Sequence, residues 1–196
     1  MGRERQGGVN LANKITIVRI LLIPFFVSTF IYYSPEKDYL RLVALVIFVI
    51  SMLTDGIDGY VARRYYQKTK LGTVLDPVAD KLLIISAYIC LSMVKVLPSD
   101  LRLPPWVSIF VISRDILLVL GSVIIYMLVG KIEIKPSALG KITTFFQMLT
   151  IVVVLVQFKY SYIVWTTAVV FTTLSGLGYL FRANHFLSEA TTYGTK

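Results

Sequence analysis

The sequence holds a single cysteine, Cys90, and a single histidine, His185. One thiol excludes an intrachain disulfide framework and any multi-cysteine metal site, and Cys90 sits in an apolar run where a small packed residue is expected. One imidazole excludes a histidine-rich metal centre. A Ser-His-Asp triad would have to depend on His185, which lies near the C-terminus beside Arg182 and Asn184, where an interfacial role is expected instead. Charge is scarce at 16% of 196 residues, and negative charge scarcest, with 11 Asp and Glu against 20 Lys and Arg. The resulting formal net charge of +9, in a chain that is 56% hydrophobic, suits anionic lipid head groups or phosphate-bearing substrates and argues against nucleic acid. So apolar a composition cannot cover a water-exposed surface, which points to an integral membrane protein. The opening residues lack the Ser or Thr of a myristoylation signal. The first apolar segment also runs too long for a cleaved signal peptide, so it is expected to stay as a span.

Six apolar stretches follow one another at residues 15–33, 39–53, 82–96, 106–128, 142–158 and 162–181. The first is long enough to cross a hydrocarbon core of roughly 30 Å at about 1.5 Å per residue. The fourth is interrupted by Arg114-Asp115. Between the stretches lie Ser34-Pro35-Glu36-Lys37-Asp38, Pro98-Ser99-Asp100, Lys135-Pro136-Ser137 and the neighbourhood of Lys159, all turn-like in composition. Tyr32, Tyr33, Tyr39, Trp106, Tyr160, Tyr162 and Trp165 gather at the ends of the stretches, as an interfacial belt requires. The expected architecture is an all-α integral membrane fold of six transmembrane helices, with an N-terminal arm over residues 1–12, one helical domain over 13–183 and a tail over 184–196. Placing the N-terminus inside puts thirteen basic residues on the cytoplasmic side and five outside, so both termini are expected in the cytoplasm of a cell (inner) membrane.

From Asp55 to Asp80 the chain reads DGIDGYVARRYYQKTKLGTVLDPVAD, which places four of its eleven acidic residues in one short stretch. Asp55 and Asp58 are three apart and Asp76 and Asp80 four apart, so each pair shares one face of a helix. If those helices pack side by side, four carboxylates converge, and such a cluster at a membrane boundary is self-repulsive unless a cation neutralises it. Oxygen-only ligands select a hard ion, Mg2+ or Mn2+, which commonly shares its coordination with substrate phosphates. Gly59 and Gly72 leave room for close approach, and Arg63 offers a cation to a phosphate oxygen. Taken singly, each feature also has a plainer use. Asp76 before Pro77 makes a good helix start with proline at N1, Asp80 could complement a helix dipole, the glycines could serve helix packing, and Arg64 and Lys68 suit a positive-inside loop. None of these uses accounts for Asp55 and Asp58 at the end of an apolar span.

The order Asp55-x2-Asp58-Gly59-x2-Ala62-Arg63-x8-Gly72-x3-Asp76-x3-Asp80 resembles the complete signature of the CDP-alcohol phosphotransferase family. Asn13, Thr16 and Arg19 are similar to the family's N-terminal element, and Gly140-Lys141 with Thr143 and Gln147 to a downstream one. The resemblance implies six transmembrane helices in a homodimer, with the active site facing the cytoplasm and two metal ions in each site. It implies that Asp55, Asp58 and Asp76 ligate metal, and that Asp80 is the general base and a ligand of the second ion. Asn13, Thr16, Gly59, Ala62, Arg63 and Gly72 then line the CDP site. The implied reaction transfers a phosphatidyl group from CDP-diacylglycerol to an alcohol in one step, releasing CMP.

Arg114, Lys135 and Lys141 are the candidates for holding a phosphate-bearing acceptor, although Arg114-Asp115 could also be a structural ion pair. Asn13-x2-Thr16-x2-Arg19 and Leu174-Ser175-Gly176 resemble the branch of the family that uses glycerol 3-phosphate. Asp115 replaces the Glu usual in that branch, and Ser122 stands where many of its members carry a further arginine. Ile112-Ser113-Arg114-Asp115 is similar instead to the branch that makes cardiolipin from phosphatidylglycerol. Glycerol 3-phosphate is the preferred acceptor and phosphatidylglycerol the alternative. A proton-coupled transporter, the more distant possibility, would distribute its carboxylates near the bilayer midplane instead of crowding one interface.

Overall fold

The computed structural model describes residues 11–65, 70–95, 102–129 and 138–193, with side-chain detail for residues 17–54, 81–95, 102–120, 138–179 and 181. The described residues form α1 (Leu11–Ile31), a 3-10 turn (Pro35–Lys37), α2 (Tyr39–Tyr65), α3 (Lys70–Met93), α4 (Pro105–Val129), α5 (Ala138–Leu155) and α6 (Ser161–Tyr193). Each of the six apolar stretches falls on a helix. All but α2 begin before their stretch, and α2, α4 and α6 run on past its end, whereas α1, α3 and α5 stop two or three residues short of it. The breaks at residues 98–100 and 135–137 lie outside the described residues.

One local expectation is corrected. Asp76-Pro77 does not start a helix, since α3 begins six residues earlier at Lys70 and carries both residues in its interior. A proline there removes one helix hydrogen bond, the one to the Thr73 carbonyl, and the helix runs through that loss.

The chain divides into two compact units, residues 1–90 with 94–97, and residues 91–93 with 98–196. In the first, α1 packs on α2 through Phe26 and Phe48, both fully buried, with ring centroids 6.1 Å apart. Between the two helices, Ser34 leads into the Pro35 turn, and Asp38 stands just before α2. There the Asp38 carboxylate accepts from Arg41 Nε at 2.8 Å and Nη2 at 2.7 Å, and from the Tyr33 hydroxyl at 3.2 Å. The Arg41 guanidinium holds the Asp38 carboxyl below its ordinary range, while burial pushes the Tyr33 hydroxyl up.

In the second unit, α5 and α6 meet through Phe146 stacked on Phe171, with centroids 5.1 Å apart and 11° between planes. One turn away, Thr143 Oγ1 lies 2.8 Å from the Leu139 carbonyl of its own helix and 3.0 Å from the Phe171 carbonyl of α6, so its single proton bridges both. Trp106 of α4 meets Trp165 of α6 edge to face at 5.8 Å.

The end of α5 is a Schellman closure. Phe158 N–H donates to the Val153 carbonyl at 2.9 Å and Gln157 N–H to the Val154 carbonyl at 3.0 Å, with Gln157 at φ 59°. That left-handed position favours glycine. Gln157→Gly is expected to stabilise the protein by about 0.5–1 kcal/mol, since the left-handed conformation disfavours an L residue by about 1–2 kcal/mol and the extra chain entropy of glycine offsets part of the gain. The expected rise in the unfolding midpoint of the detergent-solubilised protein is about 2 °C. A fall would show that the Gln157 side chain contributes more than its backbone costs.

Large apolar side chains face outward along every helix, among them Leu21 and Phe25 on α1, Val46 and Ile50 on α2, Ile89 on α3, Leu117 on α4, Phe145 on α5 and Val170 on α6. Tyr32, Tyr39, Trp106, Tyr160 and Tyr162 of the aromatic belt are exposed at helix ends. Ala138–Leu155 and Ser161–Tyr179 are each long and apolar enough to cross a membrane, and shorter apolar stretches occupy Ile17–Ile31, Tyr39–Thr54 and Lys81–Met93. Apolar surface on this scale has no use in water, and this is a membrane protein.

Candidate active site

The aspartate motif lies on two helices of the first unit, Asp55, Asp58, Gly59, Ala62 and Arg63 on α2 and Gly72, Asp76 and Asp80 on α3. Their side chains lie outside the described residues, but their register positions follow from the continuous helices. At about 100° per residue, the buried residues Ala44, Phe48 and Ser51 of α2 fall within about 60° of one another. Asp55, Asp58, Gly59 and Ala62 continue that stripe within an arc of about 100°, and Arg63 borders it. The opposite side of α2 carries the exposed Val46, Ile50 and Leu53.

The same holds on α3. Leu83, Ile84, Ala87 and Tyr88 are buried, and the register of Asp76 and Asp80 falls inside the arc they define, with Gly72 at its edge. Leu82, Ile89 and Met93 are exposed on the far side. By register alone, all four aspartates continue the stripes that are buried farther along their helices. Those stripes are largely apolar, so a carboxylate continuing one needs a compensating charge.

That donor set fits a divalent cation. Four carboxylates offer oxygen alone, in pairs at helical spacing on successive helices, which is hard-ion chemistry of the Mg2+ or Mn2+ kind. Among the described side chains, no group of three or more His, Cys, Asp and Glu could hold a metal.

Asn13 and Thr16 fall on the first turns of α1, with their side chains outside the described residues. Arg19, one turn on from Thr16, is 2% exposed. Its place in the Asn13-x2-Thr16-x2-Arg19 spacing was visible in the sequence, and its burial was not.

The acceptor candidates belong to the second unit. Lys141 stands exposed near the start of α5, and Lys135 lies outside the described residues. Arg114 is buried on α4, where Nη1 donates to Asp115 Oδ1 at 2.7 Å and Nη2 donates to Ser175 Oγ on α6. The structural ion pair is therefore present, and it includes a residue to which sequence reasoning gave no role. Ser175 had only its place in Leu174-Ser175-Gly176 as a signal. Farther along the same unit, Thr143 and Gln147 of the downstream element lie fully buried on α5.

A helical membrane protein with carboxylates paired at helical spacing on successive helices carries the kind of donor set that metal-assisted phosphotransfer uses. Residues 9–174 match the family described as CDP-alcohol phosphatidyltransferase, and the chain belongs to that family. It is similar to the probable phosphatidylglycerophosphate synthase of Mycobacterium tuberculosis, 32% identical over 180 residues that cover 89% of this chain and 81% of that protein. It is also similar to the CDP-diacylglycerol–glycerol-3-phosphate 3-phosphatidyltransferase of Bacillus subtilis, 33% identical over 189 residues covering 87% of this chain and 93% of that one. The protein of that name from Aquifex aeolicus is 32% identical over 143 residues, with 73% and 74% covered. The family as a whole depends on divalent metal.

Proposed function

We propose that this chain transfers the phosphatidyl group of CDP-diacylglycerol to glycerol 3-phosphate, releasing CMP and forming phosphatidylglycerophosphate. The observation that carries this is the register of the eight-position motif, which continues the buried stripes of α2 and α3 and puts each aspartate pair on one face of its helix. The printed names of the Mycobacterium tuberculosis, Bacillus subtilis and Aquifex aeolicus relatives support glycerol 3-phosphate as the acceptor.

Asp55, Asp58 and Asp76 would hold the metal, and Asp80 would serve as base and as ligand of a second ion. A divalent ion held there would supply charge neutralisation for the pyrophosphate and a better CMP leaving group. Asn13, Thr16 and Arg63 orient the CDP moiety, and Gly59, Ala62 and Gly72 leave it room. The acceptor hydroxyl attacks the lipid-linked β-phosphorus. As the new O–P bond forms, the bond to the CMP oxygen breaks and the hydroxyl proton passes to the Asp80 carboxylate. Arg114, Lys135 and Lys141 bind the acceptor's phosphate. The basic-residue bias supports both termini and the active site on the cytoplasmic face of a cell (inner) membrane; six spans and a homodimer are what the family resemblance implies.

A panel assay tests the acceptor. Labelled CDP-diacylglycerol is offered with glycerol 3-phosphate, phosphatidylglycerol, inositol phosphate and serine. Labelled phosphatidylglycerophosphate, formed only with the first, is the expected product. Cardiolipin formed from phosphatidylglycerol, with no response to glycerol 3-phosphate, overturns the acceptor.

A further inference from the structure

We propose that Ser175 is a positioning residue for the acceptor's phosphate, acting through the Arg114 guanidinium. The inference rests on Arg114 binding that phosphate and names what aims it. Arg114 is 8% exposed and is held from two sides, with Nη1 donating to Asp115 of its own helix and Nη2 to Ser175 across the α4–α6 seam. Its Nε is buried and has no hydrogen-bond partner among the described residues.

Arg41 shows an arginine engaging a carboxylate with two prongs. It directs Nε and Nη2 together onto the two oxygens of Asp38, at 2.8 and 2.7 Å. Arg114 divides its donors instead, giving Asp115 one Nη, giving Ser175 the other and leaving Nε unfilled. A buried unfilled donor carries its full desolvation cost, and a donor on a charged group carries more. An anionic phosphate oxygen removes that cost on binding, and Arg is the side chain whose planar fork suits phosphate.

Gly176 of α6, next to Ser175, leaves room beside the stem of Arg114, since a Cβ there would stand 3.7 Å from Arg114 Cγ. The Trp106–Trp165 contact ties the same two helices together elsewhere along their lengths. With one Nη on Asp115 of its own helix, the guanidinium meets the neighbouring helix through the Ser175 hydroxyl, which fixes the plane of the fork. Losing it lets the guanidinium turn onto Asp115 alone, in the two-pronged manner of Arg41.

Steady-state kinetics of the purified, Mg2+-supplied enzyme test this, with sn-glycerol 3-phosphate and CDP-diacylglycerol varied in turn. Ser175→Ala is expected to raise KM for glycerol 3-phosphate about ten-fold while leaving KM for CDP-diacylglycerol and the unfolding midpoint unchanged. Ser175→Thr, which keeps the hydroxyl, restores the wild-type KM. Arg114→Gln raises the same KM about a hundred-fold or more. If Arg114→Gln shows that rise and Ser175→Ala does not, the positioning role is overturned and the acceptor site stands. If Ser175→Ala raises both KM values together, or lowers the unfolding midpoint, Ser175 is structural and the proposal is overturned. If Arg114→Gln leaves the glycerol 3-phosphate KM unchanged, both the proposal and the acceptor role of Arg114 fall.

Discussion

Asp80→Asn is expected to lower CMP release from CDP-diacylglycerol by about a thousand-fold or more, with the protein still folded and extractable in the same detergent. The amide keeps the shape and volume of the carboxyl, so the substitution is expected to leave packing unchanged. It loses the charge, and with it the ability to take the acceptor's proton at neutral pH. The loss should appear in kcat and persist at saturating metal and saturating acceptor, because proton transfer belongs to the transition state. Wild-type turnover in this variant would remove Asp80 as the base and leave it as a helix-dipole or packing residue.

Much of this was legible in the sequence, because the strongest signals are the ones a membrane enforces. Apolar runs of fifteen or more residues favour helices, and each of the six falls on one of α1 to α6. The turn at Ser34 to Asp38 was legible because Pro35 and its polar neighbours cannot continue a helix. Four aspartates at spacings of three and four in so acid-poor a chain marked the candidate site. Helix starts were less legible: Asp76-Pro77 carries a strong local start signal, yet α3 runs through it from Lys70, since continuity of the backbone hydrogen bonds outweighs a cap preference in apolar surroundings. Partners across helices were not legible at all. Ser175 is 61 residues from Arg114, and no spacing rule reaches between α4 and α6.

The four aspartates are expected to differ in their response to metal. Removing divalent ions with EDTA is expected to reduce CMP release to about background, and Mg2+ or Mn2+ to restore it, because carboxylate oxygens without nitrogen or sulfur favour hard ions. Without the ion, α2 and α3 each keep two like charges on one face among buried apolar neighbours, an arrangement that also weakens the fold. Chelation should therefore lower the unfolding midpoint of the wild type, and by less in Asp58→Asn, which has one charge fewer to neutralise. In that variant, metal half-saturation should move up by about ten- to a hundred-fold, with much of kcat recovered at high Mg2+, as for loss of one metal-site contact. Asp80→Asn should not be rescued by any Mg2+ concentration. If EDTA leaves turnover unchanged, or if Asp58→Asn and Asp80→Asn respond to Mg2+ alike, the four carboxylates do not divide into ligands and base.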